Sequence, residues 1–214
     1  MIIHQIYGIF DDKPMNEMFK KSHKLWKEYS LKHHMDYKLW DKQSCETLIE
    51  EYSEYKEHYN SMRYEIMKVD LIRYIILSKY GGIYSDLDVF PDLDYAYEKG
   101  DDFYFSKNEN DKKSPAEIEL IHCPINKKHI FKKITDYTIQ QINEKNKIEI
   151  YKKWKARYVL QTTGPRMINR FLRINKIPFN YYPDESYKSQ DSFSWVYQID
   201  KKPTDYVNNT SLNQ

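Results

Sequence analysis

The sequence predicts an α/β protein, a sheet covered on both faces by helices, and three observations carry that prediction. Short runs rich in β-branched and aromatic residues alternate with longer stretches of helical periodicity along the 214 residues. Only five glycines occur, yet two are adjacent, Gly81-Gly82, at the junction between a helical stretch and a strand-like one. Aromatic residues make up 16% of the chain and charged residues 31%, enough of each for one substantial core and a solvated exterior.

Taken in order, residues 2–7 (IIHQIY) read as the first strand. Residues 14–29 read as an amphipathic helix with Met15, Met18, Phe19, Leu25, Trp26 and Tyr29 on one face. Residues 37–40 form a short strand, and 43–59 a charged helix. Residues 62–80 contain no Gly or Pro, and Ile66, Val69, Leu71, Ile72, Ile75 and Ile76 recur with a helical rhythm. Gly81 stands where a left-handed residue closes such a helix. Residues 83–90 (IYSDLDVF) then read as one short buried strand. Further strands are expected at 102–106 and 117–123, followed by a helix from 127 to about 144. The charged stretch 144–157 reads as a helix or as a loop that orders over substrate. Thr163-Gly164-Pro165 opens a late helix, with Pro165 in the first turn and Ile168, Phe171 and Leu172 as its apolar stripe. A last short strand falls at 179–182. The expectation is one domain over residues 1–206 and a polar C-terminal tail at 207–214.

Composition excludes several classes. No stretch approaches the roughly 20 apolar residues of a membrane span, and because Met1-Ile2-Ile3 runs directly into a strand no signal peptide is expected. Cys45 and Cys123 lie far apart and read as free thiols of a reducing compartment, so a cytoplasmic location is expected. Net charge is +2, and the basic pairs (Lys112-Lys113, Lys127-Lys128, Lys132-Lys133, Lys152-Lys153) are dispersed. A nucleic-acid partner needs a concentrated basic stripe, and none is present.

The chemistry concentrates in residues 68–90. Alternation along a strand places Tyr84, Asp86, Asp88 and Phe90 on one face, with the two acidic Cα atoms roughly 6.5 to 7 Å apart. Two like charges at the end of an apolar strand are costly unless compensated. Their hard oxygen donors suit Mg²⁺ or Mn²⁺. Asp70 and Arg73, spaced i,i+3, share a face of the preceding helix, and an acid beside a guanidinium can hold sugar hydroxyls and phosphate oxygens together. Taken singly, an Asp-x-Asp is a solvated turn or strand end and an Asp–Arg pair a surface ion pair of small energy.

The full string resembles the core of the DXD-motif glycosyltransferases of the capsular-polysaccharide, yeast initiating mannosyltransferase and clostridial toxin glucosyltransferase type. Their pattern, Asp-x-x-Arg-Tyr-x-x-Leu followed by Gly-Gly-Ile-Tyr-x-Asp-x-Asp, is met by Asp70, Arg73, Tyr74, Leu77, Gly81, Gly82, Ile83, Tyr84, Asp86 and Asp88. Residues 1–7 resemble the family's opening strand, with Tyr7 in place of a Trp that lies near the nucleotide base. Tyr7 is therefore expected either to stack on the base or to be a core aromatic. Residues 37–41 resemble the second strand, Thr163-Gly164-Pro165 matches a late element, and Ser194-Trp195 matches the last motif.

The resemblance implies a GT-A (Rossmann-like nucleotide-sugar-binding) fold with a central mixed, mostly parallel sheet flanked by helices. It implies metal-dependent, retaining transfer of a hexose from a nucleotide diphosphate sugar to a hydroxyl of a glycan or other acceptor. UDP-hexose is the first expectation, GDP-mannose the next, and Mn²⁺ or Mg²⁺ the cofactor. Asp70, Arg73, Asp86 and Asp88 are expected to carry the chemistry. Asp88 would bind the metal, and Asp86 would bind ribose or donor-sugar hydroxyls and assist with the metal. Arg73 would support the leaving diphosphate, Asp70 would grip the donor sugar, and Tyr84 belongs to the same donor-binding set. Ser194 and Trp195 would close over the diphosphate as a lid. Proteins of this type carry a His, Asn or Glu a few residues before the Ser-Trp as a further metal ligand. Here residues 187–193 hold no His, which leaves Asp191 as the candidate, with Gln190, Ser194 or water as alternatives. Two other classes remain open on the residues: a catalytically silent nucleotide-sugar or glycan-binding module, and a metal-dependent phosphoryl or nucleotidyl transferase.

Overall fold

A computed structural model describes residues 1–10, 14–97, 99–148 and 154–189. The chain runs β1 (Ile2–Ile6), α1 (Glu17–Lys32), β2 (Asp36–Trp40), α2 (Lys42–Glu51), α3 (Ser53–Asn60) and α4 (Glu65–Tyr80). It continues through β3 (Gly82–Ser85), β4 (Val89–Pro91), β5 (Tyr104–Lys107), β6 (Ala116–Cys123) and, after a 3₁₀ turn at Ile125–Lys127, α5 (His129–Lys145). Then come α6 (Lys155–Thr162), α7 (Pro165–Ile174), β7 (Asn180–Tyr181) and β8 (Tyr187–Ser189).

Six strands form one mixed sheet in the order β2-β1-β3-β6-β5-β7. The β1–β2, β1–β3 and β5–β7 pairings are parallel, and β3–β6 and β5–β6 antiparallel. Helices connect the parallel strands, as their geometry requires. α1 starts on Asn16, whose side chain accepts from Phe19 N at 2.8 Å, and α2 starts on Asp41, which accepts from Ser44 N at 2.8 Å; both are side-chain caps of exposed helix starts. Among the described residues no helix is long and apolar enough to cross a membrane.

α4 departs from the one-sided stripe of a surface helix. Residues from Ile66 to Leu77 are buried almost without interruption, because α5 packs on one side and β1 and β3 on the other. A helix apolar on all sides belongs in a core. Its exit is set by the two adjacent glycines. Gly81 has φ +65° and ψ −152°, a region essentially restricted to glycine rather than the left-handed helical cap expected from sequence. At Gly82, φ is +91° and an added Cβ would lie 2.2 Å from the Ile2 carbonyl oxygen. The pair lets the chain reverse from α4 into a strand pressed against β1.

The structure corrects the sequence expectations at three places. The expected helix 43–59 is two helices, broken at Tyr52 (φ −116°, ψ 60°), because Cys45, Leu48 and Ile49 turn one face inward while Tyr55 and Tyr59 turn another. α6 begins at Lys155, inside the charged stretch 144–157, and runs on to Thr162, beyond the bounds expected from sequence. Most important, residues 83–90 are not one strand. β3 ends at Ser85, a turn closed by Val89 N to Asp86 O (3.3 Å) follows, and β4 pairs with β8 in a separate two-stranded sheet. Asp86 and Asp88 therefore do not share a pleat face, and the strand spacing expected between them does not apply.

Candidate active site

The break after β3 has a local cause in the side chains that capture its carbonyls. Gln5 Nε2 donates to Asp86 O (3.3 Å) and to Ser22 Oγ (3.1 Å). Ser22 Oγ and Trp26 Nε1 both donate to Val89 O, at 2.7 and 3.0 Å. Asp86 N–H still donates to Glu119 O of β6 (2.7 Å), so the ladder is kept to the last residue before the turn. At the other end of β3, His4 Nε2 donates to Gly81 O (3.0 Å) while Trp40 Nε1 donates to His4 Nδ1 (3.1 Å). Burial lowers the His4 pKa to about 4, so the ring is neutral and these roles define its tautomer.

The charged core of the site lies beneath this turn. Arg73 Nη2 donates to Asp86 Oδ1 at 2.9 Å and Nη1 donates to Ile118 O at 2.8 Å. Nη1 also lies 3.6 Å from Asp70 Oδ1, and the guanidinium stacks over the Tyr84 ring, 4.4 Å from its centroid. Arg73 Nε has no hydrogen-bond partner among the described residues. Tyr84 OH donates to the same Asp86 Oδ1 (2.6 Å). Asp70 Oδ2 accepts from Thr163 Oγ1 (2.7 Å), and Tyr74 OH donates to Thr163 O (2.5 Å).

Exposure sorts these groups into two layers. Asp70, Arg73 and Tyr84 are 2%, 2% and 1% exposed, whereas the Asp86 side chain keeps 27% of its surface and Asp88 is half-buried. Asp70, Arg73 and Tyr84, expected among the donor-binding residues, are thus buried in this structure. They lie under Asp86, and Arg73 and Tyr84 point it outward. Asp70 is pushed up to about 6 by burial, against the pull of Arg73 and Thr163. Asp86 is raised by burial, with Arg73 and Tyr84 opposing. Burial also works against the Arg73 cation, but Asp86 and its other neighbours outweigh it and keep the guanidinium charged.

Two further acids face this region that the motif did not single out. Burial raises Glu119 to about 8, with the charges of Asp88 and Asp86 adding to the effect. Glu117, which accepts from Asn108 Nδ2 (2.9 Å), is raised to about 7, also mainly by burial. Their signal was present as period-two alternation in Ala116–Cys123 (AEIELIHC), where two acids at i,i+2 share one face of the strand. Among the described residues no three His, Cys, Asp or Glu side chains gather into a metal-holding group. Asp86 and Asp88 supply hard carboxylate oxygens, which fits a divalent cation that takes its remaining ligands from water, a bound diphosphate or elsewhere in the chain. Ser189, the last residue described, pairs with Val89 and donates to Glu119 Oε2 at 3.0 Å, so the chain leaves β8 beside Asp88. Asp191, Gln190, Ser194 and Trp195 lie outside the described residues. Tyr7 sits just past β1, half-buried, with its N–H on Trp40 O (2.8 Å) and its ring edge-on to Phe19 at 6.1 Å. β1 and β3 are parallel, so Tyr7 and Asp86 lie at the same, carboxyl end of the sheet, where open α/β sheets bind ligands.

Comparison with known proteins agrees with this geometry. Residues 11–100 match the family described as the glycosyltransferase sugar-binding region containing the DXD motif. Over 90 residues the chain is 40% identical to mannosyl phosphorylinositol ceramide synthase SUR1 of Saccharomyces cerevisiae, a match covering 41% of this chain and 22% of that protein. Over 55 residues it is 46% identical to inositol phosphoceramide mannosyltransferase 3 of Schizosaccharomyces pombe, covering 25% and 15% respectively. The matches thus span about a fifth or less of the length of these curated relatives. Among solved structures, the PaToxG glycosyltransferase superposes with a TM-score of 0.57 at 17% identity, over 83% of this chain and 68% of that one. A glycosyltransferase involved in glycosylating the major capsid of PBCV-1 gives 0.51 at 10% identity, over 84% and 79%. The fold is GT-A, and residues 11–100 are similar to the DXD-containing sugar-binding region of glycosyltransferases.

Proposed function

We propose that this chain is a metal-dependent glycosyltransferase that moves a hexose from a nucleotide diphosphate sugar to an acceptor hydroxyl, with retention of anomeric configuration. The observation that carries the reading is Asp86, directed outward by Arg73 and Tyr84 beside Asp88 at the carboxyl end of β3, within the matched DXD region. Asp88 and Asp86 would hold a Mn²⁺ or Mg²⁺ ion, with Asp191 as the third protein ligand. Two residues of chain reach roughly 7 Å beyond Ser189. When bound, such a cation supplies the positive charge that stabilises a departing nucleoside diphosphate.

The protein's own residues do the rest. Arg73 fixes the direction of Asp86 and adds a permanent positive charge beneath it, which supports the leaving diphosphate electrostatically. Asp70 holds Arg73 and reaches the donor sugar only if its side chain turns outward. Tyr7 offers a half-buried ring to the base, and Ser194 and Trp195 would cover the diphosphate and exclude water. The names of the yeast relatives favour a mannosyl donor, so GDP-mannose joins UDP-glucose and UDP-galactose as a first-rank donor, and a glycan or glycolipid hydroxyl is the acceptor.

Release of nucleoside diphosphate from these three donors, with Mn²⁺ or with EDTA, tests the reading. Metal-dependent release of UDP or GDP from one donor, lost in Asp88→Asn, is the expected result. Donor binding without turnover, with or without added glycan acceptors, would favour the silent binding module. Release of pyrophosphate or phosphate instead would favour the phosphoryl or nucleotidyl transferase.

A further inference from the structure

We propose that Thr163 is a positioning residue of this site, which through Asp70 and Arg73 sets the direction of the Asp86 carboxylate. By sequence, Thr163-Gly164-Pro165 has an ordinary explanation as the start of a helix. The geometry assigns the threonine differently. The residue capping α7 is Gly164, and no side chain caps that helix. Thr163 is fully buried, and its hydroxyl proton has two acceptors, Asp70 Oδ2 at 2.7 Å and Val159 O at 3.5 Å. The carboxylate is both nearer and the stronger acceptor.

Everything around that hydroxyl is fixed. Thr163 N–H donates to Val159 O at 3.0 Å, and its carbonyl accepts the Tyr74 hydroxyl at 2.5 Å. At Gly164 an added Cβ would meet Leu160 Cα at 3.0 Å, so glycine lets the turn close tightly on α6. Pro165 then begins α7 at once. The tripeptide is a rigid mount that delivers one hydroxyl to one carboxylate, 93 residues away in sequence.

The connected line is Thr163 Oγ1, Asp70, Arg73 and Asp86, with separations of 2.7, 3.6 and 2.9 Å. Asp70 is buried, and a buried carboxylate that loses a donor turns aside or takes up a proton. Either change weakens its hold on Arg73, and with it the aim of the guanidinium at Asp86. This inference rests on the glycosyltransferase reading, because Asp86 is the group whose direction matters there.

Thr163→Val removes the hydroxyl at nearly constant shape, and Thr163→Ser keeps it. Steady-state release of nucleoside diphosphate from UDP-glucose, UDP-galactose and GDP-mannose with Mn²⁺ gives kcat and KM for each variant. The expected result is a kcat lower by about 10- to 100-fold in Thr163→Val, substantially recovered in Thr163→Ser. In an Asp70→Asn background, Thr163→Val should add less than about 2-fold. Wild-type kcat in Thr163→Val, or a loss undiminished in that background, would overturn the proposal, whatever happens to Tm. If the wild-type chain turns over no donor, the transferase reading fails by itself. The link is then decided by melting: Tm losses of Thr163→Val and Asp70→Asn that do not add uphold it, and additive losses reject it.

Discussion

At the scale of single residues, Arg73 does the most with one side chain. Its two terminal nitrogens reach Asp86, Ile118 O and the neighbourhood of Asp70, while its face lies on Tyr84. A planar fork can do this and a lysine cannot. Arg73→Ala leaves Asp70 and Asp86 without their cation and should cost about 3 to 5 kcal/mol of stability, read as a lowered urea midpoint, together with loss of turnover. Arg73→Lys should recover part of the stability and little of the activity, and equal recovery of both would show that charge alone matters. Asp88 behaves differently. It is half-buried and outside the Arg73 pairings, so Asp88→Asn should leave the unfolding free energy from urea titration within about 0.5 kcal/mol of wild type while abolishing metal-dependent donor turnover. A large stability loss in that variant would make Asp88 a structural residue.

At the scale of elements, the site depends on how β1 holds β3. His4 and Gln5 are consecutive, so their side chains leave opposite faces of β1, and one takes the carbonyl of Gly81 while the other takes that of Asp86. Gly82 lets the two strands meet. Gly82→Ala would place a Cβ 2.2 Å from Ile2 O at a φ of +91°, so it should destabilise by at least about 2 kcal/mol, measured by urea unfolding. Wild-type stability in that variant would mean the strands separate freely. His4 adds a pH dependence of definite sign. Its folded pKa of about 4 lies below the ordinary 6.5, so its contribution is complete above about pH 6.5 and is lost as pH falls toward 4.

At the scale of the whole molecule, the acids around the site act in the opposite sense. Burial raises Asp70 to about 6, Glu117 to about 7 and Glu119 to about 8, and raises Asp86 as well. Each folded pKa lies above its unfolded value, so folding favours the protonated acid. The stability each contributes is full below about pH 4 and is lost as pH rises through the folded pKa. Between pH 6 and pH 8 Glu117 and Glu119 still titrate, whereas the His4 contribution is already complete. In EDTA, Tm should therefore fall between pH 6 and pH 8. A divalent cation binds the deprotonated carboxylates, so Mn²⁺ should raise Tm more at pH 8 than at pH 6. A flat Tm in EDTA, or an equal shift by Mn²⁺ at both pH values, would mean these acids are not coupled to a metal site.

Much of this was legible in the residues before any coordinates. The α/β alternation and the helix ending at Gly81 follow from periodicity and backbone chemistry, and the Asp70–Arg73–Asp86–Asp88 set was singled out by its resemblance to the DXD-motif pattern. Those are local properties, and local properties survive in a linear string. The break of the strand at Asp86, the two-stranded sheet of β4 and β8, and the split between α2 and α3 were not legible. Each is decided by partners far away in sequence: Gln5, Ser22 and Trp26 for the turn, Tyr187–Ser189 for β4, and Asp136 for Tyr55. The sequence by itself marked the candidate groups, because carboxylates and a guanidinium can be recognised by type and order. Only the tertiary structure decided which of them face outward and which hold the others in place. Burial and hydrogen-bond direction arise when α4, β3, β6 and the Thr163 turn pack together, and no spacing along the chain encodes them.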